Sequence, residues 1–217
     1  RFDLDQAIAA ITRTRPTFFP GVPPLYQRLA EAAAEGHVDL TSIKYGLSGG
    51  MALPPELVER WESLSGGLLI EGYGMTETSP ITVGNPLSPD RRPGSIGVPF
   101  PSTYVRVVDE SVQDVEPGEP GELLVRGPQV FAGYWNRPAD TEATLVDGGW
   151  VRTGDIVTVE ESGFIRMVDR VNDLIITGGF NVYPGEVEAV LRRHPSVADA
   201  AVVGMPGPDG AEIVTAA

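Results

Sequence analysis

Leu4, Ile8 and Ile11 recur at helical spacing in "RFDLDQAIAAITRTRP", which predicts an amphipathic helix with acidic residues in its first turn. A short strand or crossover, "PTFFPGV", follows, and "PPLYQRLAEAAAE" then opens on prolines suited to a first helical turn. "SIKYGLSGG" reads as a strand ending in small residues, "PPELVERWESL" as a helix and "GLLIEGYG" as a strand. Strands alternating with helices of this length predict a partial parallel-sheet α/β unit over residues 1 to 88. In such sheets ligands sit beyond the carboxyl ends of strands, where the Gly-rich stretches 46 to 50 and 72 to 74 fall.

From about Pro89 the period shortens to that of half-buried strands, in "TYVRVVD", "GELLVRG" and "GFIRMVD", separated by turns such as "EPGEPGE". Residues 89 to 168 are therefore expected to form a β-rich subdomain, a small barrel or meander of the same large domain. A second change follows Asp169. Two short strands around glycines, "DLIITGGFNVYP", precede a helix, "GEVEAVLRRHP", and a hairpin, "VADAAVVGMPGPDGAEIVTAA", whose second strand reads as cut off. Residues 169 to 217 thus look like a hinge and the start of a small α+β C-terminal domain. With no initiating methionine and no closing turn, the chain is expected to be a piece of something longer. No internal repeat or low-complexity tract appears.

Composition narrows the function classes. At 217 residues and 41% hydrophobic, the chain can bury a real core. Its 16 basic and 30 acidic residues give a net charge of -14, with no Lys/Arg run to neutralise a phosphate backbone, which argues against nucleic acid and anionic membranes as partners. Cysteine is absent, so no disulfide framework or thiolate nucleophile is available. His37 and His194 share no ligand spacing, which argues against zinc. No apolar run reaches the length of a membrane span and the start is no signal peptide, so the cytoplasm is the expected compartment.

Gly46-Leu47-Ser48-Gly49-Gly50 matches the G-x-S-x-G pattern of a hydrolase nucleophile elbow. The elbow needs its helix to begin right after the serine, but Met51-Ala52-Leu53 intervene, and His194, the downstream base candidate, is expected in mid-helix before a proline. In "LLIEGYGMTETSP", Gly72-Tyr73-Gly74 begins like a dinucleotide fingerprint, yet Glu77 replaces the third glycine. A carboxylate repels a pyrophosphate unless a cation stands between them. With such a cation, Glu77 becomes an asset, Thr76 can donate to the same phosphate and Tyr73 offers a face to a base. A Gly-rich turn with an N-cap threonine explains the glycines, but not the three residues together.

"GWVRTGD" places Asp155 after a hydroxyl and a glycine at the end of an expected strand, where a carboxylate could accept from a ribose diol or simply serve a turn. "DRVNDLIITGGFNVYPGEVE" adds Arg170 and Asn172, then Gly178 and Gly179, which permit close backbone approach to a ligand or a tight strand turn. Taken alone, this last stretch reads as a structural linker.

Taken in order, "SGGMALP", "EGYGMTE", "GWVRTGD" and "DRVNDLIITGGFNVYPGEVE" resemble the acyl-adenylate-forming superfamily of acyl-CoA synthetases, luciferases and peptide-synthetase adenylation domains. The resemblance covers the whole chain, and "GGFNVYPGEVE" looks more like the fatty acyl-CoA ligases than the adenylation domains. It implies conversion of a fatty acid to acyl-AMP with ATP and Mg2+, then transfer to the thiol of coenzyme A. By motif, Thr76 would contact the α-phosphate and Glu77 the magnesium. Tyr73, within Gly72 to Gly74, would stack on adenine. Asp155 and Arg170 would hold the ribose, and Gly49, Gly50 and Met51 would wall the adenine. Glu71, Gly72 and Met75 would border the acyl group, while Gly178 and Gly179 would line the coenzyme A passage.

The hinge position of the superfamily falls on Asn172, where relatives commonly carry Asp or Lys, and Ile176 stands where some carry a lysine used in thioester formation. The superfamily's phosphate loop would lie upstream of Arg1, and its adenylating lysine beyond Ala217. The chain alone is therefore expected to be inactive. The alternatives are a relative using an aryl or amino acid, or a noncatalytic nucleotide-binding remnant.

Overall fold

A computed structural model describes residues 2–146, 148–207 and 212–217. Helix α1 (Leu4–Thr14) starts where Asp3 accepts from the Gln6 N–H at 3.0 Å, a side-chain cap for one of the free first-turn donors. Strand β1 (Phe18–Gly21) leads to α2 (Pro23–Ala34), and β2 (Tyr45–Ser48) to α3 (Pro55–Ser65). Both helices after the first open on prolines in their first turn, as the sequence predicts. Strand β3 (Leu68–Gly74) pairs parallel with β2, and β2 parallel with β1.

The core under this sheet is aromatic. Tyr26 and Trp61 meet edge to face with centroids 4.7 Å apart, among Leu29, Ile43 and Leu69. The buried Tyr26 hydroxyl donates to the carbonyl of Phe19 and lies 3.2 Å from that of Leu47, so α2 is tied to β1 and β2.

The expected partial parallel sheet forms over β1, β2 and β3, and the next strand extends it with the opposite direction. After β3 the chain makes one 3-10 turn, Thr76–Thr78, and β4 (Ile81–Gly84) returns antiparallel to β3. The reversal depends on Gly74. A Cβ there would come within 1.6 Å of the Pro80 carbonyl oxygen, so only glycine permits the two backbones to approach this closely. Strand β5 (Val98–Pro99) continues the sheet by pairing antiparallel with β4, so the sequence change near Pro89 falls in a loop between two paired strands.

The second sheet has the order β10-β9-β7-β6 and is formed by β6 (Tyr104–Val108), β7 (Gly121–Arg126), β9 (Trp150–Val159) and β10 (Ile165–Arg170). Between β7 and β9 lie α4 (Pro138–Thr144) and the short β8 (Leu145–Val146), which pairs with β9. Val107, Leu123, Val125, Val157 and Ile165 bury its inner face together with Val83 of β4, joining the two sheets in one core. Asp155, expected at a strand end, lies in the middle of β9: Gly154, at φ +71, absorbs a bulge opposite Leu123 and the strand continues.

Beyond β10, one 3-10 turn, Val171–Asp173, leads to β11 (Ile175–Thr177) and β12 (Phe180–Val182), and α5 (Pro184–Leu191) follows. Strands β13 (Val202–Pro206) and β14 (Glu212–Ala216) then pair antiparallel over five residue pairs, so the strand read as cut off is partnered along its length. His194, expected in mid-helix, stands beyond the end of α5, where its Nδ1 accepts from the Ser196 N–H at 3.2 Å. Among the described residues, no helix is long and apolar enough to cross a membrane.

Candidate functional site

The carboxyl ends of β2 and β3 carry the first group of predicted residues. The loop after β2 passes close beside β3: a Cβ on Gly49 would sit 3.1 Å from the Gly72 carbonyl oxygen, and Gly50 takes φ +80. Met51 next to them is exposed. Ser48 excludes the hydrolase reading, since it is 1% exposed and its hydroxyl has no partner among the described residues.

Glu71 is only 7% exposed, and its two carboxylate oxygens accept the backbone N–H groups of Leu53 and Gly94, each at 3.2 Å. The side chain therefore fastens the loop after β2 and the turn at Gly94 to β3, and only the backbone of Glu71 remains to border a ligand. Burial pushes this carboxyl up to about 7, against the pull of its two N–H donors and of Arg166. Because the folded value is the raised one, the folded state holds an extra proton between pH 4.5 and about 7. Stability should fall as pH rises through that window, by about 1.4 kcal/mol per unit at most. Urea unfolding across the window should show this slope in the wild type and a flatter one in Glu71→Gln; equal slopes would remove Glu71 as its source.

Tyr73, Asp155 and Arg170 are brought together from three strands. The Tyr73 hydroxyl donates to Asp155 Oδ2 at 2.6 Å across 82 residues of sequence. Arg170 is the direct cross-strand neighbour of Asp155 in the β9–β10 ladder, and its Nε lies 3.4 Å from Oδ1. Asp155 is 9% exposed, whereas the Arg170 side chain is mostly in solvent. Burial raises the Asp155 carboxyl above its ordinary range, opposed by the Tyr73 hydrogen bond and by Arg170. Burial and the Asp155 charge in turn raise the Tyr73 phenol. The Tyr73 ring packs against the core between the sheets, and its hydroxyl is committed to orienting Asp155.

Glu122 and Arg152 escape the sequence reading. Glu122 is buried and accepts from Arg152 Nε at 2.9 Å, from Arg152 Nη2, and from the Gly154 N–H at 3.2 Å. One carboxylate thus holds the bulge that aims Asp155. The available signal is an acid inside the otherwise apolar strand "GELLV".

Thr76 and Glu77 occupy the 3-10 turn directly after β3, Thr76 exposed and Glu77 half-buried. The turn is closed by the buried Thr78, whose hydroxyl accepts from the Met75 N–H at 3.1 Å, another contact absent from the sequence reading. Glu77 Oε1 accepts from the Tyr134 hydroxyl at 2.5 Å. The described residues contain no group of three His, Cys, Asp or Glu able to hold a metal ion by themselves. A lone carboxylate suits magnesium when substrate phosphates supply further oxygens, which is the arrangement Glu77 fits.

Asn172 lies exposed in the 3-10 turn between β10 and β11, and it is not among the described residues with a left-handed backbone. Ile176 is exposed on β11. Gly178 and Gly179, at φ +58 and +82, form the two-residue turn of the β11–β12 hairpin, a geometry that by itself accounts for paired glycines.

The chain as a whole is similar to known proteins. The chain is 45% identical over 212 residues to a long-chain-fatty-acid–CoA ligase of Yersinia pestis, covering 98% of this chain and 38% of that one. It is 41% identical over 214 residues to a feruloyl-CoA synthase of an Amycolatopsis species, covering 98% and 43%. The crystal structure of an anthranilate CoA ligase in complex with anthranoyl-AMP superimposes with a TM-score of 0.82 at 31% identity, covering 98% of this chain and 41% of that one. The chain therefore spans about two fifths of the length of such relatives. Residues 1–135 match the family described as AMP-binding enzyme and residues 186–217 match the AMP-binding enzyme C-terminal domain, so the chain belongs to the AMP-binding enzyme family.

Proposed function

We propose that this chain is the central and hinge portion of an ATP-dependent acid–thiol ligase that activates a long-chain fatty acid as acyl-AMP and transfers the acyl group to coenzyme A. The observation that carries the reading is the convergence of Tyr73, Asp155 and Arg170 beside the turn bearing Thr76 and Glu77. In the first half-reaction a carboxylate oxygen attacks the α-phosphorus of ATP and pyrophosphate leaves. In the second, the coenzyme A thiol attacks the acyl carbonyl and AMP leaves.

Asp155, held by Tyr73 and Arg170, accepts from the ribose hydroxyls, and Arg170 reaches the ribose from its exposed position. Gly49, Gly50, Met51 and the free part of the Tyr73 ring border the adenine, and Gly72 and Met75 border the acyl group. Thr76 would donate to the α-phosphate, and the Glu77 carboxylate would help to hold a magnesium ion. That ion, when bound, offsets phosphate charge as the carboxylate approaches. Asn172 serves as the pivot of the C-terminal segment between the half-reactions, with Gly178 and Gly179 beside the pantetheine arm. The cytoplasm is the proposed setting.

A second reading, an aryl acid as substrate, is favoured by the 41% identity to a feruloyl-CoA synthase. Pyrophosphate exchange by the full-length gene product across a panel of fatty and aryl acids separates the two. Exchange with long-chain fatty acids, and their thioesters once coenzyme A is added, is the expected result. Exchange with aryl acids alone would establish the second reading, and no exchange with any acid would overturn both.

A further inference from the structure

Glu77 stands on a single 3-10 turn, which is too short for helical neighbours to fix its side chain. What holds it comes from a segment more than fifty residues further along the chain. The Phe131 N–H donates to the Glu77 carbonyl oxygen at 2.8 Å, and the Tyr134 hydroxyl donates to Glu77 Oε1 at 2.5 Å. One loop therefore grips both the backbone and the side chain of this residue.

The loop is itself braced. The Phe131 and Tyr134 rings meet edge to face with centroids 4.9 Å apart. The Tyr134 N–H donates to Thr141 Oγ at 2.9 Å, and that hydroxyl donates to the Arg137 carbonyl oxygen at the start of α4, also at 2.9 Å. Gly133 takes φ +136, and a Cβ there would come within 2.7 Å of Thr141 Cγ2, so glycine is what lets the loop lie on α4. The tyrosine hydroxyl is thus presented from a fixed base.

We propose that Tyr134 is a positioning residue for Glu77: by occupying Oε1 it sets the carboxylate rotamer and leaves Oε2 directed to a divalent cation shared with the substrate phosphates. This rests on the reading of Glu77 as the cation-binding carboxylate given above. Among the described residues Oε2 accepts no hydrogen bond. A glutamate side chain loses considerable rotamer freedom when fixed, and the hydroxyl imposes that loss before the cation arrives.

The test uses the full-length protein, with Tyr134→Phe, Thr141→Val and Glu77→Gln compared with the wild type. Binding of Mn2+ in the presence of ATP is followed by electron paramagnetic resonance, and pyrophosphate exchange is titrated with Mg2+. Tyr134→Phe should weaken Mn2+ binding and raise the half-saturating Mg2+ concentration about fivefold, with the rate at saturating Mg2+ within about twofold of wild type. Thr141→Val, which keeps the phenol but loosens its loop, should shift both in the same direction by a smaller factor. Unchanged metal dependence in a folded Tyr134→Phe protein, or a lower rate at saturating Mg2+ with metal binding intact, would overturn the proposal. If Glu77→Gln also leaves Mn2+ binding unchanged, the cation reading of Glu77 fails; if only Tyr134→Phe is silent, the positioning role alone fails.

Discussion

Replacing Glu77 with glutamine in the full-length protein should lower acyl-adenylate formation about 100-fold while leaving the melting temperature within a few degrees of wild type. The exchange is isosteric, and the amide oxygen can still accept from Tyr134, so the 3-10 turn and its contact to Phe131 are kept. On the proposed reading of Glu77, what is lost is the negative charge that would draw a cation to the phosphates. Without it, the carboxylate of the acid must approach a phosphate whose charge is less well neutralised, and the penalty falls on the transition state more than on ATP binding. The loss should therefore appear in the rate of pyrophosphate exchange and be partly recovered at high Mg2+. An unchanged rate with unchanged Mg2+ dependence would remove Glu77 from the metal site.

Asp155→Asn should weaken AMP and ATP binding about 30-fold, because it removes a charged acceptor in a site where water is largely excluded. The effect has two parts. On the proposed reading a ribose diol would lose its ionised partner, and the amide can turn its NH2 group toward Arg170 or toward the Tyr73 hydroxyl, both of which need an acceptor. Folding should suffer less than binding, since burial already raises the Asp155 carboxyl and a neutral side chain avoids that cost. Titration calorimetry with AMP measures the loss directly. Affinity within about twofold of wild type in a folded variant would show that Asp155 serves the β9–β10 ladder and not the nucleotide.

The two replacements probe different kinds of legibility. Thr76 and Glu77 stand out as candidates because their pattern is local: a carboxylate and a hydroxyl in a Gly-rich segment after an apolar strand, within a few residues of one another. Asp155 and Arg170 stand out as candidates only as members of an ordered set of motifs, because a single aspartate after a glycine has the signature of any turn. The structure runs β9 through Asp155, with Gly154 as a bulge, and pairs its carboxylate with Tyr73 and Arg170. Glu71 shows the reverse. Its neighbours in the motif pointed to a ligand, yet its carboxylate is used up by Leu53 and Gly94.

By itself, the sequence determined helices α1, α2, α3 and α5 but not α4, most strands, the change from α/β to β texture and the four motif positions, because apolar periodicity and Gly or Pro punctuation act over a few residues. Only the tertiary structure decided the antiparallel return of β4, the ten-residue span of β9, and the pairings Tyr73–Asp155, Glu122–Arg152 and Glu77–Tyr134. Those depend on sheet order, on register and on which side chains the two packed sheets leave without water. Partners separated by 82, 30 and 57 residues leave no periodic trace along a single chain, since nothing in the spacing of one partner encodes the position of the other.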